Sequence, residues 1–257
     1  MSLIKSVREQ NAIRRACHVA SEVLHAVVAR VSPGVSTIEL DQFAAEQIQR
    51  RGARSAFLNY KKFPRHTCVS VNQEVVHGIA GQRALVFGDI VSLDVGVFFE
   101  GFVGDVARTV AVGGCGVAAQ QLMDVTAQAL QAGISQARAG NRVSDISRAV
   151  QRFVEANGCS VVREFVGHGV GRSIHEEPQV PNFVDGKPSP RLKAGMTIAI
   201  EPMVNAGQPG VRELNDGWTV VTSDGSLSAH FEHTVLVTET VPEILTWHDP
   251  TLSKLKV

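Results

Sequence analysis

The sequence predicts an α+β protein. Amphipathic helical segments come in two pairs, a strand-like hairpin lies between the pairs, and further strand-like segments follow them. This order differs from the regular alternation of strand and helix that indicates a parallel sheet. Because no linker rich in Pro, Gly or Ser and no internal repeat divides the 257 residues, we expect one domain over residues 1–257.

The helical segments are indicated by apolar residues at three- and four-residue steps. They cover residues 12–28, 36–52, 118–137 and 143–158. The second begins at Ser36, which precedes Glu39 by three residues as in a capping box, and it closes at Gly52.

The predicted strands are short runs rich in β-branched and apolar residues. They cover residues 67–71, 90–99, 102–110, 161–165, 197–200, 218–221 and 231–237. Glu100 and Gly101 supply a turn between the second and the third of these runs, so the two are expected to form a hairpin.

The predicted hairpin carries two carboxylates in an apolar setting. If Phe99 faces Phe102, then Asp94 lies opposite Ala107, and Asp105 lies on the same face, diagonal to Asp94. A single aspartate in a strand would most simply point to solvent. Two on one apolar face would repel each other unless a cation lies between them, so the pair predicts a divalent metal.

Composition excludes several classes of protein. Lys+Arg 25 balance Asp+Glu 25, and aromatic residues make up only 5%, so neither nucleic-acid binding nor an anionic membrane is indicated. No run resembles a membrane span, and the polar N-terminal region does not resemble a secretory signal. The cysteines at positions 17, 68, 115 and 159 form no Cys-x-x-Cys pair, so we expect a cytoplasmic protein.

Three later segments repeat the combination of titratable side chains and apolar or Gly-rich surroundings. His168 and His175 lie in a Gly-rich stretch, Glu201 ends an apolar strand, and Glu232 lies in a β-rich run. Each alone is equally well explained as a surface carboxylate or a core imidazole. Together with Asp94 and Asp105 they form a set of oxygen ligands and one nitrogen ligand, which suits a pair of ions such as Mn, Fe or Co.

These residues occur in motifs that resemble type I methionine aminopeptidases of the compact bacterial form. In order, the motifs are Val-His77-Gly, Leu-Asp94-Val-Gly, Gly-Asp105-Val-Ala-Arg-Thr, Gly-His168-Gly-Val-Gly-Arg, His175-Glu-Glu-Pro, Glu201-Pro-Met and Phe-Glu232-His-Thr. The resemblance implies the pita-bread fold of that family, in which helices cover an antiparallel sheet with pseudo-twofold symmetry. It also implies hydrolytic removal of N-terminal methionine before a small second residue.

The resemblance implies a role for each residue of the set. Asp94 would chelate one metal, Asp105 and Glu232 would bridge two metals, and His168 and Glu201 would hold the second. Glu201 would also pass a proton to the leaving amine. The metal could be Co, Mn, Fe or Zn. The two substrate-contacting histidines, which would stabilise charge on the reacting carbonyl, are His77 and His175.

A methionine pocket is implied at Tyr60, Phe63, Cys68 and Trp218, with Phe57 nearby. Three residues depart from the family pattern. Phe57 stands where Cys is common and Ile174 where an aromatic residue is common, and both would alter the shape of the pocket. His230 stands where Gln is usual and would alter the surroundings of the bridging carboxylate Glu232.

Two other functions stay open at this point. Proline-specific aminopeptidases share the fold, although they usually carry an extra N-terminal domain for which we expect no room before His77. A binding module that has lost catalysis is the second alternative, although all five ligand positions are present here.

The resemblance further implies a monomer that acts on the N-termini of nascent polypeptides. Such an enzyme would work beside the ribosome, for which the sequence shows no docking motif.

Overall fold

The computed structural model describes residues 3–247, and the rest of the predicted domain, residues 1–2 and 248–257, lies outside the described residues. The helices are α1 (Val7–Val28), α2 (Thr37–Arg50), α3 (Val117–Ile134) and α4 (Val143–Ala156). The four helical predictions are confirmed, and α1 and α2 both begin with a capping box. In the described part of the chain, no helix combines the length and the apolar character needed to cross a bilayer.

The strands follow one another in chain order as β1 (Arg54–Ser55), β2 (Cys68–Val71), β3 (Glu74–Val76), β4 (Ile90–Phe99), β5 (Phe102–Ala111), β6 (Ser160–Val161), β7 (Gly167–Gly169), β8 (Glu176–Val180), β9 (Thr197–Ile200), β10 (Met203–Asn205), β11 (Val211–Glu213), β12 (Val220–Thr222), β13 (Ser228–His230), β14 (Glu232–Leu236) and β15 (Glu243–Ile244). A single-turn 3₁₀ helix covers Tyr60–Lys62. The α+β class is therefore confirmed.

The main sheet has the strand order β1-β4-β5-β14-β9-β7-β8, and its neighbouring strands run antiparallel. Helices α1 and α2 share a hydrophobic core with β2, β4 and β5 in one half of the molecule. Helices α3 and α4 contribute to the cores of the other half, beside β9 and β14. This arrangement of two helix pairs on one antiparallel sheet is the pita-bread fold, as predicted.

The predicted hairpin is confirmed in its register. Phe99 pairs with Phe102, and Asp94 pairs with Ala107. Asp105 pairs with Gly96, so it lies on the face that carries Asp94 and diagonal to that residue. The two carboxylates therefore project from the middle of the longest strands, β4 and β5, each of which pairs with a neighbouring strand on both sides.

The prediction of a strand over residues 161–165 is wrong beyond its first residue. Strand β6 covers only Ser160–Val161, which pair with Asn205 and Val204 of β10, and the contact with β10 ends where the Val162 N–H donates to the carbonyl of Met203. The next residues carry the charged side chains of Arg163 and Glu164 and then pass to β7. Strand β7 was not predicted, because Gly-His-Gly has none of the β-branched residues that identify a strand in sequence.

Helix α1 lies directly against the strand that carries Asp105. At Gly104, a Cβ atom would overlap the backbone of Ala16 and Cys17 in α1. The absence of a side chain at this position allows α1 to approach β5 closely. Gly104 therefore helps to fix the distance between the helix and the strand.

We predict that Gly104→Ala lowers the free energy of unfolding by about 2 kcal/mol, because the added methyl group must separate α1 from β5. Chemical denaturation measures this change. Gly81→Ala is the matched control, since a Cβ there meets no atom within 4 Å, and we expect it to change stability by less than about 0.5 kcal/mol. Equal stability of the two variants would contradict the proposed close contact.

Candidate active site

One cavity of about 500 Å³ brings together every site residue named from the sequence. Its walls include the five candidate metal ligands, the two candidate substrate histidines and the four candidate pocket residues. These are Asp94, Asp105, His168, Glu201 and Glu232, then His77 and His175, then Tyr60, Phe63, Cys68 and Trp218. The cavity lies on the face of the main sheet from which Asp94 and Asp105 project.

Three adjacent strands converge on Ala107 to place the carboxylates. Asp94 of β4 pairs with Ala107 from one side, and Glu232 of β14 pairs with Ala107 from the other. Because Asp105 is two residues before Ala107 on the central strand β5, it lies diagonal to both.

The remaining two ligand candidates come from strands further along the sheet. His168 is the middle residue of β7, and Glu201 follows the last residue of β9. The Nε2 atom of His168 lies 3.4 Å from Oε1 of Glu201 and 3.9 Å from Oδ2 of Asp105. Ligand atoms of Asp105, His168 and Glu232 all lie within 4.8 Å of one another. The cluster therefore joins residues that are up to 138 positions apart in sequence.

Removal from water changes the protonation of this cluster. Burial and the neighbouring charge of Asp105 raise the pKa of Asp94, Glu201 and Glu232 well above the ordinary values, and burial raises the pKa of Asp105 to about 7. Burial lowers the pKa of His168 to about 4, so its imidazole is neutral at neutral pH. In the absence of a cation, protonation of the carboxylates is therefore favoured, whereas the neutral imidazole is ready to bind a metal.

The two candidate substrate histidines lie above the cluster. A ring nitrogen of His175, Nδ1, is 2.8 Å from the hydroxyl oxygen of Tyr60, and its ring centroid is 4.3 Å from that of His168. His77 has a φ of 60°, in the left-handed region that few residues other than Gly adopt. Such backbone strain is characteristic of residues held in place for a functional purpose.

Sequence reasoning missed one cavity residue that contacts a candidate substrate histidine. The rings of Phe165 and His77 meet edge to face, with their centroids 5.3 Å apart. Trp218 contacts the same imidazole at 6.0 Å, so His77 stands between two aromatic rings. Phe165 falls in the segment for which the strand prediction is wrong, and no local motif marks it as a cavity residue.

The apolar end of the cavity is shaped by two of the departures from the family pattern. Phe57 and Ile174 belong to one hydrophobic cluster with Phe63 and Cys68. A Cβ atom at Gly96 would lie 2.5 Å from the Phe57 ring and 3.2 Å from the end of Ile174. The missing side chain at Gly96 is therefore what gives the larger Phe57 its space.

The third departure, His230, lies beside a different carboxylate from the one expected. Its Nε2 atom is 3.6 Å from Oε2 of Glu201, whereas the sequence suggested an influence on Glu232. The imidazole is buried, and burial lowers its pKa to about 3, so it is neutral. Its backbone is fixed by Thr109, whose hydroxyl accepts from the His230 N–H and donates to the His230 carbonyl.

Comparison with known proteins agrees with this geometry. Residues 11–239 match metallopeptidase family M24. The chain belongs to this family. A methionine aminopeptidase from Clostridium perfringens is 48% identical to it over 248 residues, which cover 96% of this chain and 99% of the relative.

Solved structures of the family show the same fold. The crystal structure of methionine aminopeptidase from Rickettsia prowazekii has a TM-score of 0.93 and 39% identity, and the match covers 95% of this chain and 99% of the other. A prolidase from Pyrococcus furiosus has a TM-score of 0.79 at 22% identity, and the match covers 96% of this chain and 66% of the prolidase. The second likeness is one of fold alone.

As an M24 metallopeptidase, the chain uses a divalent metal, and the cluster has the chemistry to hold one. Oδ1 of Asp94, Oδ1 of Asp105 and Oε1 of Glu232 are buried without a hydrogen-bond partner among the described residues. Unpaired buried oxygens are costly, and a cation in their midst would remove that cost. Oxygen ligands with one imidazole suit Mn, Fe, Co or Zn.

We predict that metal binding at about pH 6.5 releases protons, because the carboxylates with raised pKa values must lose theirs while His168 is already neutral. The apparent affinity for Mn²⁺ should therefore fall as the pH is lowered. Calorimetric titration in two buffers of different ionisation enthalpy measures the number of protons released.

The matched variant for this measurement is Asp105→Asn, which removes one carboxylate and keeps its shape. We expect it to release fewer protons and to bind Mn²⁺ at least about tenfold more weakly. Metal uptake without proton exchange in the unaltered protein would show that the carboxylates are already ionised and would contradict the raised pKa values.

Proposed function

We propose that this protein is a type I methionine aminopeptidase, which hydrolyses the first peptide bond of newly made polypeptides and prefers a small second residue. The observation that carries this proposal is the position of an apolar pocket directly beside the carboxylate cluster, within one cavity. Identity of 48% to a named methionine aminopeptidase over nearly the whole of both chains supports it.

We assign two divalent ions to the cluster. Asp94 would hold one of them, His168 and Glu201 the other, and Asp105 and Glu232 would contact both. The support is geometric, since Asp105 and Glu232 lie between Asp94 on one side and His168 on the other in the order of the strands. When bound, the metals acidify a water molecule and polarise the carbonyl of the first peptide bond.

Glu201 is the proton carrier of the proposed mechanism. Its carboxylate opens partly onto the cavity, with 12% of the side chain exposed, and its pKa is raised by burial and by Asp105 and Asp94. A carboxylate of raised pKa can take a proton from the attacking water and return it to the departing amine. Oε2 of Glu201 faces the buried imidazole of His230, which limits how the carboxylate can rotate.

His77 and His175 act in this mechanism as neutral hydrogen-bonding groups. Burial lowers the pKa of His77 to about 4, and it lowers that of His175 in the same direction. Because Nδ1 of His175 is engaged by the Tyr60 hydroxyl, the opposite ring nitrogen is left to contact the substrate. Hydrogen bonds from such fixed donors stabilise the charge that develops on the carbonyl oxygen.

The pocket is suited to an unbranched apolar side chain. Phe63 and Trp218 meet edge to face with ring centroids 5.1 Å apart, and Tyr60 and Cys68 complete the surface around them. A thioether makes favourable contacts with aromatic rings, so methionine gains more here than a polar residue would. The free α-amine of the substrate would lie at the metal cluster, which restricts cleavage to the first residue.

The proposed activity also suggests where the protein works in the cell and whether it acts as a single chain. An enzyme that acts on nascent chains works in the cytoplasm and close to the ribosome. We assign it as a monomer, because the cavity is complete within one chain and requires no residue from a second copy.

The experiment that tests the function is a comparison of peptide substrates. Enzyme stripped with a chelator and reloaded with Mn²⁺ or Co²⁺ should cleave Met-Ala-Ser and leave an Ala-Pro peptide intact. Replacing the second residue of Met-Ala-Ser by Leu should lower kcat/KM at least about tenfold, because a large side chain does not fit beside the metals. Cleavage of the proline peptide alone would assign the chain to the prolidase-like activity instead.

We predict that Glu201→Gln lowers kcat by at least about 100-fold, because the amide cannot accept and return a proton. Metal content, measured by atomic absorption on the same preparation, separates a lost proton carrier from a lost ligand. His233→Gln is the matched control, since His233 neighbours Glu232 on β14 but does not line this cavity. A Glu201→Gln enzyme with nearly full turnover would remove Glu201 from the mechanism.

A further inference from the structure

A buried ion pair joins the N-terminal segment to the edge of the cavity. Nζ of Lys5 lies 2.5 Å from Oε2 of Glu176, and only 7% and 8% of the two side chains are exposed. Glu176 follows His175 in sequence and itself lines the cavity. Neither Lys5 nor Glu176 has a part in the chemistry proposed above.

The second oxygen of Glu176 organises the loop that leads to His175. Oε1 accepts hydrogen bonds from the backbone N–H of Arg172 at 2.8 Å and of Ser173 at 3.1 Å. The loop therefore folds around the carboxylate. A Cβ atom at Gly171 would lie 2.6 Å from Oε1 of Glu176, so the residue at the start of the loop has no space for a side chain.

Lys5 is itself fixed by its backbone. Its N–H donates to the carbonyl of Gly195 at 2.8 Å, and its carbonyl accepts from the side-chain amide of Gln10 in α1 at 2.8 Å. Gly195 lies two residues before β9, the strand that ends at Glu201. The ammonium group thus connects the loop before His175 to a strand of the main sheet.

The burial of this pair distinguishes it from its neighbours on the surface. Arg172 of the same loop approaches Glu9 of α1 at 3.5 Å, but 55% of the arginine side chain is exposed, so that pair contributes little to order. A buried pair, in contrast, is costly to separate, because the Glu176 carboxylate would stay away from water without the ammonium group beside it. The Lys5 contact is therefore better able to hold the loop than the Arg172 contact.

We propose that Lys5 is a positioning residue, whose ion pair with Glu176 holds the loop over residues 171–175 and thereby keeps the His175 imidazole beside Tyr60 and His168. This inference rests on the proposed function, since it assigns His175 a contact with the substrate. The N-terminal segment is then part of the support of the active site, although it contributes no atom to the cavity wall.

The first test replaces Lys5 with an uncharged side chain of similar length. With Met-Ala-Ser as substrate, Lys5→Met should lower kcat at least tenfold and change KM less than threefold, while metal content stays at the level of the unaltered enzyme. Arg14→Met is the matched control, since it removes an ion pair between α1 and Glu243 that lies away from the cavity. We expect it to leave kcat and KM unchanged. Equal kcat values in Lys5→Met and Arg14→Met would overturn the proposal.

A spectroscopic measurement separates positioning from a general loss of stability. In ¹⁵N NMR of the Zn²⁺-loaded enzyme, Lys5→Met should shift or broaden the ring signals of His175 and leave those of His233, on the far side of β14, as they are. Unchanged His175 signals would overturn the proposal. If the unaltered enzyme failed to cleave Met-Ala-Ser, the proposed function would be wrong, whereas these signals would still decide whether Lys5 positions His175.

A double variant covers the case in which Lys5→Met does not fold because the Glu176 carboxylate is left unpaired. Lys5→Met with Glu176→Gln removes both charges and keeps an oxygen to accept from Arg172 and Ser173. The loop then lacks its link to the N-terminal segment, so we expect the same loss in kcat. A folded double variant with the kcat of the unaltered enzyme would overturn the proposal.

Discussion

Four buried carboxylates that repel one another lie at the centre of this fold. Asp94, Asp105, Glu201 and Glu232 face one another in a region largely removed from water, and burial raises the pKa of each. An arrangement of this kind is unfavourable unless protons or cations balance the negative charges, and a bound divalent cation does so at neutral pH. The fold must therefore supply the rigidity to hold these groups together against their repulsion.

The main sheet supplies that rigidity by distributing the groups over separate strands. Ala107, on the central strand, has a carboxylate-bearing partner on each side, and the helices pack on the opposite face of the sheet. No single loop movement could disperse the cluster. Helix α1 packs closely against Gly104, one residue before Asp105, and this contact also restricts the movement of β5.

The side of the cavity that receives the substrate is built differently. His77, His175 and the aromatic residues around them come from loops and strand ends, and their positions depend on contacts such as the Tyr60 hydroxyl and the buried Lys5–Glu176 pair. Loops and strand ends tolerate changes of sequence more easily than the middle of a sheet, so the two sides of the cavity differ in how firmly their residues are held.

The helices, the β4–β5 hairpin and the register that places Asp94 diagonal to Asp105 can be predicted from the sequence, because they follow from local periodicity and from one tight turn. Its ordered motifs also indicated the five candidate metal ligands and the two histidines that meet in the cavity. Three contacts depend on the folded chain: Phe165 packs against His77, His230 faces Glu201, and Lys5 binds Glu176 from 171 positions away. Contacts of this kind join segments whose local sequences carry no information about each other, so they exist only once the sheet has brought those segments together.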